Sequence, residues 1–215
     1  MQTASSLLNT VLEQARVKNY PQGQIVIYRG DPCLEVYIVK EGYIKVYDID
    51  EAGNEKILSI VKPGDVLPYS FFSGVDVPNQ WFYQTLVDTD IYVAERQTLL
   101  NAMSANNGLM IALVNNFSIE AHHLLGRLSS LGKTRTQSKI LALLKYLLVS
   151  LKYDQNTRWF KVPFPINQQF IADMTGVTRE SCTVAMKDLA GSGIVRIKKT
   201  NVLEINASKM SSLAE

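Results

Sequence analysis

Apolar and polar residues alternate with a period of about two through much of residues 20–98. The segments QIVIY, EVYIVKEGYIKVYDI, EKILSIV and DIYVAE are rich in β-branched and aromatic residues, which favour strands. Short strands separated by regularly spaced glycines predict a jelly roll or a barrel, and DEAGNE predicts a hairpin turn with Gly53 at positive φ. The glycines between these segments are Gly23, Gly30, Gly42, Gly53 and Gly64.

The period of the apolar residues changes near Met110. From there they recur at alternating steps of four and three residues over three heptads. This narrow stripe predicts a long helix that pairs with a second helix as a coiled coil, although a long helix packed on its own domain gives a similar pattern. The residues expected at a dimer interface are Met110, Val114, Phe117, Ala121, Leu124, Leu128 and Leu131.

The last third of the chain predicts helices followed by a hairpin. One helix covers roughly residues 136–151, and NQQFIADM begins another with Asn167 as its N-cap. After the tight turn TGV, the segment TRESCTVAMKDLAGSG predicts a helix capped by Thr178 and ended near Gly191. IVRIKKTNVLEI predicts a hairpin. This order of elements is that of a winged helix-turn-helix.

The second helix of that motif has two different faces. Its apolar residues fall at helical spacing, and Ala172 and Gly176 are small where two helices are expected to cross closely. A polar face with Arg and Glu in its first turn suits the major groove, because Arg can donate to guanine and Glu can accept from cytosine. The predicted buried face is Cys182, Ala185, Met186 and Leu189, and the opposite face carries Arg179, Glu180, Thr183 and Lys187.

The two parts of the chain differ in net charge. Residues 1–132 contain 9 Lys and Arg against 14 Asp and Glu, whereas residues 133–215 contain 13 against 6. The C-terminal third is therefore the part expected to approach a polyanion. The most apolar stretch, ILALLKYLLVSL, is too short to span a bilayer and is interrupted by Lys145. With no signal-peptide core at the N-terminus, the sequence predicts a cytoplasmic protein without a membrane partner.

Taken together, the sequence resembles the cyclic-AMP receptor protein / fumarate–nitrate reductase regulator (CRP/FNR) superfamily of bacterial transcription factors. The segments that carry the resemblance are YPQGQIVIYRGDP, YIVKEGYIKVY, GNEKILSIVKPGD and INQQFIADMTGVTRESCTVAMKDL. The resemblance implies an α+β chain in two domains: a cyclic-nucleotide-binding-like β-roll at 1–105 and, after a dimerisation helix at 106–133, a winged helix-turn-helix at 134–215. It also implies a homodimer on a two-fold symmetric DNA operator, and contact with RNA polymerase if the protein activates.

The resemblance assigns DNA contacts residue by residue. Arg179 and Glu180 match a base-reading Arg-Glu pair, and Thr183 lies on the same face. A third reading position, often Arg in this superfamily, matches Val184, which can only touch a thymine methyl. The half-site is therefore expected to keep one G·C pair and to differ elsewhere. The residues expected at DNA phosphates are Lys133, Arg135, Lys139, Gln168, Thr178, Lys187, Lys198 and Lys199.

The superfamily's cyclic-AMP contacts are not retained in this sequence. Pro68-Tyr69 stands where a Gly-Glu pair would hold the ribose, and Gln80-Trp81 where an Arg-Ser pair would hold the phosphate. Leu124-Leu125 stands at the Thr-Ser pair that holds the base. A buried phosphate needs a charge-assisted donor, so the loss of the Arg argues against cyclic AMP in the usual pose. The tentative effector-pocket residues are Tyr69, Ser70, Gln80, Trp81, Leu124 and Leu125.

Several alternatives stay open or are weakened at this point. Aromatic residues are expected to cluster where the pocket would be, and they either fill it or stack on another effector, such as a different cyclic nucleotide or a cyclic dinucleotide. These residues are Tyr69, Phe71, Phe72, Trp81, Phe82 and Tyr83. Two cysteines, Cys33 and Cys182, are too few for an iron–sulfur cluster and fit no disulfide or metal spacing. His122 and His123 are interpreted as solvent or roll contacts rather than haem ligands. A metal-dependent cupin enzyme is disfavoured because residues 1–121 contain no His, and no catalytic or metal-binding residue is assigned.

Overall fold

The computed structural model describes residues 8–74, 77–154, 156–198 and 201–212. The chain divides into two compact units, one of residues 1–48 and 58–119 and one of residues 49–57 and 120–215. They are called the first and second unit below. Within the described ranges, no helix is both long enough and apolar enough to cross a membrane.

The first unit is built on two four-stranded sheets, with strand orders β1-β8-β3-β6 and β2-β7-β4-β5. The predicted β-roll is thereby confirmed. Its strand β1 begins before the stretch that alternation had indicated, because four of its five residues are exposed and carry little apolar signal. The strands are β1 Arg16–Tyr20, β2 Ile25–Ile27, β3 Glu35–Glu41, β4 Ile44–Ile49, β5 Glu55–Val61, β6 Val66–Leu67, β7 Phe82–Thr85 and β8 Thr89–Glu95.

Helices and one 3-10 turn accompany the roll. The helices are α1 Asn9–Leu12, α2 Arg96–Ala105 and α3 Asn107–Leu131, and the 3-10 helix is Tyr69–Phe72. The helix α2 was not predicted from the sequence, although its Leu99 and Met103 are buried in the core beside β3 and β8. The beginning of α3 joins the same core through Leu109 and Leu113.

The positive φ predicted for Gly53 is confirmed, and the other four glycines between the predicted strands share it. Gly23, Gly30, Gly42, Gly53 and Gly64 all have positive φ, between 82° and 100°. Gly42 differs from the others because the backbone of Thr89 lies against it, so that an added Cβ would come within 2.8 Å of the Thr89 Cα. At Gly53 an added Cβ would meet no atom within 4 Å.

The second unit contains the winged helix-turn-helix that the sequence predicted. Its small sheet has the order β10-β11-β9, so the hairpin gains a third strand that sequence patterning had missed. Asn167 and Thr178 cap their helices as predicted, through the Phe170 N–H at 2.8 Å and the Ser181 N–H at 3.2 Å. The elements are α4 Thr136–Ser150, β9 Trp159–Lys161, α5 Gln168–Thr175, α6 Arg179–Gly191, β10 Val195–Ile197, β11 Leu203–Asn206 and α7 Ala207–Ser212.

One glycine in this unit has a role other than the predicted one. Gly176 was expected to permit a close helix crossing, but it is the left-handed cap of α5, with φ of 64°, and an added Cβ would meet no atom within 4 Å. The difference arises because Gly176 was placed by its size rather than by the turn that needs positive φ. The helix α6 ends at Gly191, as predicted, and the left-handed residue after it is Gly193.

We expect Gly42→Ala to lower the free energy of unfolding by more than about 2 kcal/mol, because it combines a left-handed backbone with a backbone clash at Thr89. The matched control Gly53→Ala has similar φ but open space, and should lose only about 1–2 kcal/mol. Urea unfolding followed by circular dichroism measures both. Equal losses in the two variants would contradict the role given to Thr89.

Candidate DNA-binding surface and effector site

The helix α6 is held by one face and leaves the other open. Cys182, Ala185, Met186 and Leu189 are buried, as predicted. They pack against α4 and α5, which completes the core of the motif. The thiol of Cys182 is part of this core, and its burial raises its pKa to about 11.

The opposite face of α6 is exposed along the first two turns and is called the reading face. Arg179 and Glu180 stand in the first turn, directly after the Thr178 cap. Val184 is 64% exposed. Spacings of three and four residues keep these side chains on one side of the helix. The reading face consists of Arg179, Glu180, Thr183, Val184 and Lys187, all exposed.

Thr183 is partly committed within the protein. Its hydroxyl lies 2.6 Å from Oε1 of Gln168 and 2.8 Å from the carbonyl oxygen of Arg179. The hydroxyl has one proton, so it donates to one of these acceptors at a time. The contact joins the first residue of α5 to the reading face of α6. Gln168, predicted at a phosphate, therefore also positions a residue predicted to read bases.

The basic residues predicted at phosphates differ in their surroundings. Lys187 is exposed and Lys139 is half-buried. Lys198 is exposed but forms an ion pair with Glu204 of the neighbouring strand, which a competing phosphate would have to replace. Such an exposed pair is weak, so this contact does not by itself remove Lys198 from the predicted set. Lys199 lies outside the described residues.

Arg127 is a functional candidate that the sequence analysis missed. It is 9% exposed, and its Nη2 donates to the carbonyl oxygens of Met174 at 2.8 Å and Ile57 at 3.0 Å, all within the second unit. Its guanidinium also lies 5.2 Å from the centre of the Tyr146 ring. Desolvation lowers its pKa from the usual arginine value. In the sequence, Arg127 is a charged residue between apolar positions of the stripe, so the pattern did not indicate that its side chain is buried.

The apolar stripe of α3 is mostly unburied in the single chain. Met110, Val114, Leu128 and Leu131 are between 40% and 66% exposed, and Ala121 is exposed as well. Phe117 and Leu124 are half-buried at the edge of the stripe. Leu109 and Leu113 are buried within the first unit, and Arg127 is buried within the second. Part of the helix therefore packs on its own domain, and pairing of the exposed stripe with a second helix stays a prediction.

Aromatic side chains meet around Tyr69 in the first unit. The Tyr69 ring makes edge contacts with Tyr83 and Phe117, and Phe71 stacks on Phe72 with centroids 4.2 Å apart. The Tyr69 hydroxyl lies 3.1 Å from Oγ of Ser59, and the backbone N–H of Tyr69 donates to the Tyr83 hydroxyl. The aromatic cluster, as the term is used below, is Tyr69, Phe71, Phe72, Tyr83 and Phe117.

The predicted effector residues do not all join this cluster. Gln80 is exposed and donates to the carbonyl of Pro78, 3.0 Å away. Trp81 is half-buried against the core between the sheets. The next residue, Phe82, stacks on Tyr47 instead, because neighbouring residues of a strand face opposite sides. The expectation that residues 81–83 form one cluster with Tyr69 is therefore wrong for Phe82.

The remaining predicted pocket residues differ in exposure. The Ser70 hydroxyl is buried and has no hydrogen-bond partner among the described residues. Leu124 is half-buried and Leu125 is 65% exposed, and both belong to the second unit.

His123 also differs from the expectation of a solvent or roll contact. Its ring packs edge-on to Tyr146 of α4, and its Nδ1 lies 3.7 Å from the Glu120 carboxylate. His122 remains exposed, as expected. No cluster of three or more His, Cys, Asp or Glu suited to a metal ion occurs among the described residues.

Comparison with known proteins gives two family matches. Residues 17–106 match the cyclic nucleotide-binding domain, and residues 141–211 match the Crp-like helix-turn-helix domain. The two matches occur in the order of the β-roll and the helix-turn-helix described above. The chain belongs to the CRP/FNR superfamily. Proteins of this superfamily that match the chain are transcription regulators rather than enzymes.

Individual CRP/FNR relatives match along most of the chain. A CRP-like cAMP-activated global transcriptional regulator of Mycobacterium tuberculosis is 21% identical over 97% of this chain and 92% of its own. The structure of FixK2 from Bradyrhizobium japonicum has a TM-score of 0.75 at 19% identity, covering 93% of this chain and 96% of its own. The c-di-GMP responsive regulator CLP of Xanthomonas campestris also has a TM-score of 0.75, at 15% identity, covering 94% and 99%.

The buried thiol of Cys182 leads to a prediction for this CRP/FNR protein. With a pKa of about 11, only about one thiol in a thousand is ionised at pH 8, and the side chain is fully buried. We expect iodoacetamide to leave Cys182 unmodified in native protein at pH 8 and to label it after unfolding in urea. Mass spectrometry of the tryptic peptide measures the labelling. Equal labelling with and without urea would contradict this account of the core.

Proposed function

We propose that this protein is a homodimeric, sequence-specific DNA-binding transcription regulator that places the reading face of each α6 in one half-site of a two-fold symmetric operator. The observation that carries the proposal is the exposed, capped first turn of α6 with Arg179 and Glu180 side by side. The positive charge of the last third of the chain supports it. Such a regulator acts in the cytoplasm, where the bacterial chromosome lies.

The chemistry of the reading face specifies part of the half-site. Arg179 can donate two bonds to O6 and N7 of guanine, while Glu180 accepts from N4 of cytosine. Val184 offers only methyl groups, which suit the methyl of thymine. Because the Thr183 hydroxyl is engaged with Gln168, we assign Thr183 an apolar or positioning contact rather than a strong base-edge bond. The half-site would thus contain one G·C pair and a nearby T.

The base-reading role of Arg179 is tested by Arg179→Ala. We expect affinity for the selected operator to fall about 5- to 150-fold, as for one lost base contact of about 1–3 kcal/mol, with relaxed preference at a single base pair. Fluorescence anisotropy on an operator and on random DNA at fixed salt measures both. Arg158→Ala is the matched control, because Arg158 precedes β9 next to Asn206, at the end of the small sheet away from the hairpin tip.

Three outcomes separate specific from general effects. Loss confined to operator DNA supports base reading by Arg179. Equal losses on operator and random DNA would reduce Arg179 to a phosphate contact. Equal losses in Arg179→Ala and Arg158→Ala would count against the whole reading face.

For the dimer, we propose that the apolar stripe of α3 pairs with its copy. The exposed fractions of Met110, Val114, Leu128 and Leu131 support this, since a coiled-coil seam is exposed until its partner arrives. The proposed domain ranges follow: the roll at 1–105, the dimer helix at 106–133 and the DNA-binding domain at 134–215.

We expect Leu128→Glu to convert the dimer to monomers at micromolar concentration, because it places a negative charge on both helices of the apolar coiled-coil interface. Ile119→Glu is the matched control: Ile119 is 55% exposed but lies about 180° around the helix from Leu128. Size-exclusion chromatography with light scattering measures the mass. A Leu128→Glu dimer, or an equally dissociated Ile119→Glu protein, would overturn the seam.

For the roll, we propose that cyclic AMP is not held in the superfamily's usual pose. The aromatic cluster occupies the neighbourhood of Tyr69, and the predicted substitute for the phosphate-binding Arg, Gln80, is exposed and bonded to Pro78. We infer that the cluster fills the pocket and that the protein binds its operator without a cyclic nucleotide.

We expect titration calorimetry to show no saturable binding of cyclic AMP up to about 1 mM. A dissociation constant of that size corresponds to a binding free energy of only about 4 kcal/mol. Selective operator binding by the ligand-free protein is the companion result. Micromolar binding of cyclic AMP would overturn the filled pocket. Operator binding that requires cyclic di-GMP, the ligand named for CLP, would support the alternative of a different effector.

A further inference from the structure

A cavity of about 570 Å³ lies within the second unit, between the C-terminal part of α3 and α4. Its walls include the ring of Tyr146 and the apolar side chains of Leu141, Val149 and Met210. This volume is within the range of small-molecule sites, about 300–1,000 Å³. The cavity lies outside the roll and does not include any residue of the reading face.

Basic residues line this cavity, and none of its lining residues is Asp or Glu. Lys133 and Lys145 line it, and neither forms an ion pair with a carboxylate of the described residues. The nearby Glu120 faces His123. Arg127 adds a third cation at the wall, although its guanidinium is directed to backbone carbonyls. The site therefore favours a negative charge.

Hydroxyl donors accompany the two lysines. Ser129 and Ser138 line the cavity, and neither side chain has a hydrogen bond to the described part of the chain. In contrast, the hydroxyl of Ser130 already donates to the carbonyl of Arg127 at 2.6 Å. Two ammonium groups and two available hydroxyls suit an anionic group with several oxygens, such as a phosphate.

Gly126 forms part of the cavity wall on the side of α3 away from the stripe. At 100° per residue, it lies about 160° around the helix from Leu128. Pairing of the stripe with a second copy would therefore leave this side of α3 uncovered. An added Cβ at Gly126 would meet no atom within 4 Å, so a side chain there would extend into open space.

We propose that this cavity binds a small organic anion, in which an aromatic or similarly flat apolar body carries a phosphate or sulfonate group. The apolar body contacts Tyr146 and Leu141. The anionic group lies near the amino groups of Lys133 and Lys145 and the hydroxyls of Ser129 and Ser138. The site is independent of the proposed DNA contacts, although the sequence had assigned Lys133 to a DNA phosphate.

The test uses 1-naphthyl phosphate as the probe and the neutral 1-naphthol as its counterpart, with the full-length protein and titration calorimetry. We expect saturable binding of the phosphate and at least tenfold weaker binding of the naphthol. Lys133→Ala and Lys145→Ala should each lower the affinity for 1-naphthyl phosphate about tenfold, as expected for a lost charge-assisted contact. Lys161→Ala, which removes an exposed charge from β9 in the same unit, should leave the affinity unchanged.

Filling the cavity is a second test that does not alter charge. Gly126→Phe should abolish binding of 1-naphthyl phosphate, whereas Gly126→Ala should retain it. Circular dichroism and thermal unfolding of both variants check that α3 is intact. If Gly126→Phe does not fold, Gly126→Leu and the two lysine variants still decide the proposal.

Four results would overturn the proposal: no saturable binding of the probe up to about 10 mM, equal binding of naphthol, unchanged binding in a folded Gly126→Phe protein, or equal losses in Lys161→Ala. If Lys133→Ala weakens DNA binding but not the probe, the lysine serves the DNA backbone instead. Operator binding through Arg179 is measured separately, so failure here leaves the proposed function untouched.

Discussion

The buried guanidinium of Arg127 is the interaction on which the arrangement of the second unit depends. A buried charged donor left without a partner costs several kcal/mol, so its bonds to the carbonyls of Met174 and Ile57 fix how α3 is rotated about its axis. That rotation decides where the neighbouring residues point. At about 100° per residue, Gly126, Arg127 and Leu128 face three different directions: a cavity, the unit's own backbone and the apolar stripe.

The same constraint explains why a heptad stripe was an incomplete guide to α3. Sequence periodicity identified one side of the helix, which is the exposed stripe with Leu128. It did not indicate that a second side, with Leu109 and Leu113, is buried in the roll. A helix that pairs with a second helix and a helix that packs on its own domain give nearly the same apolar pattern. Arg127 stands among the residues of that second side, where a charged residue is ordinarily taken as solvent-facing. Its burial depends on backbone carbonyls distant in sequence, which no local pattern contains.

Features set by local chemistry were predictable from the sequence. The caps Asn167 and Thr178, the buried face of α6 and the turn at Gly53 depend on residues within a few positions of each other. Features set by tertiary contacts were not. The strand β9 is only three residues long and is defined by its pairing with β11. The bond between Thr183 and Gln168 spans two helices, and the opposite facing of Phe82 and Tyr83 follows from where β7 begins.

The distribution of charge around the two candidate ligand sites has a consequence for effector chemistry. Around Tyr69 the side chains are aromatic or hydroxyl-bearing, and burial raises the pKa of Tyr83, so this phenol stays neutral at physiological pH. The guanidinium of Arg96 donates to the carbonyl oxygen of Phe71 at 2.6 Å, so a nucleotide phosphate there would lose its hydration and compete with that carbonyl for the cation. In the second unit, Lys133 and Lys145 line the same cavity as Tyr146. The anion site lies beside α4, which packs against α6. Coupling between two binding sites is reciprocal, so a bound anion changes the affinity for DNA by the same factor as bound DNA changes the affinity for the anion.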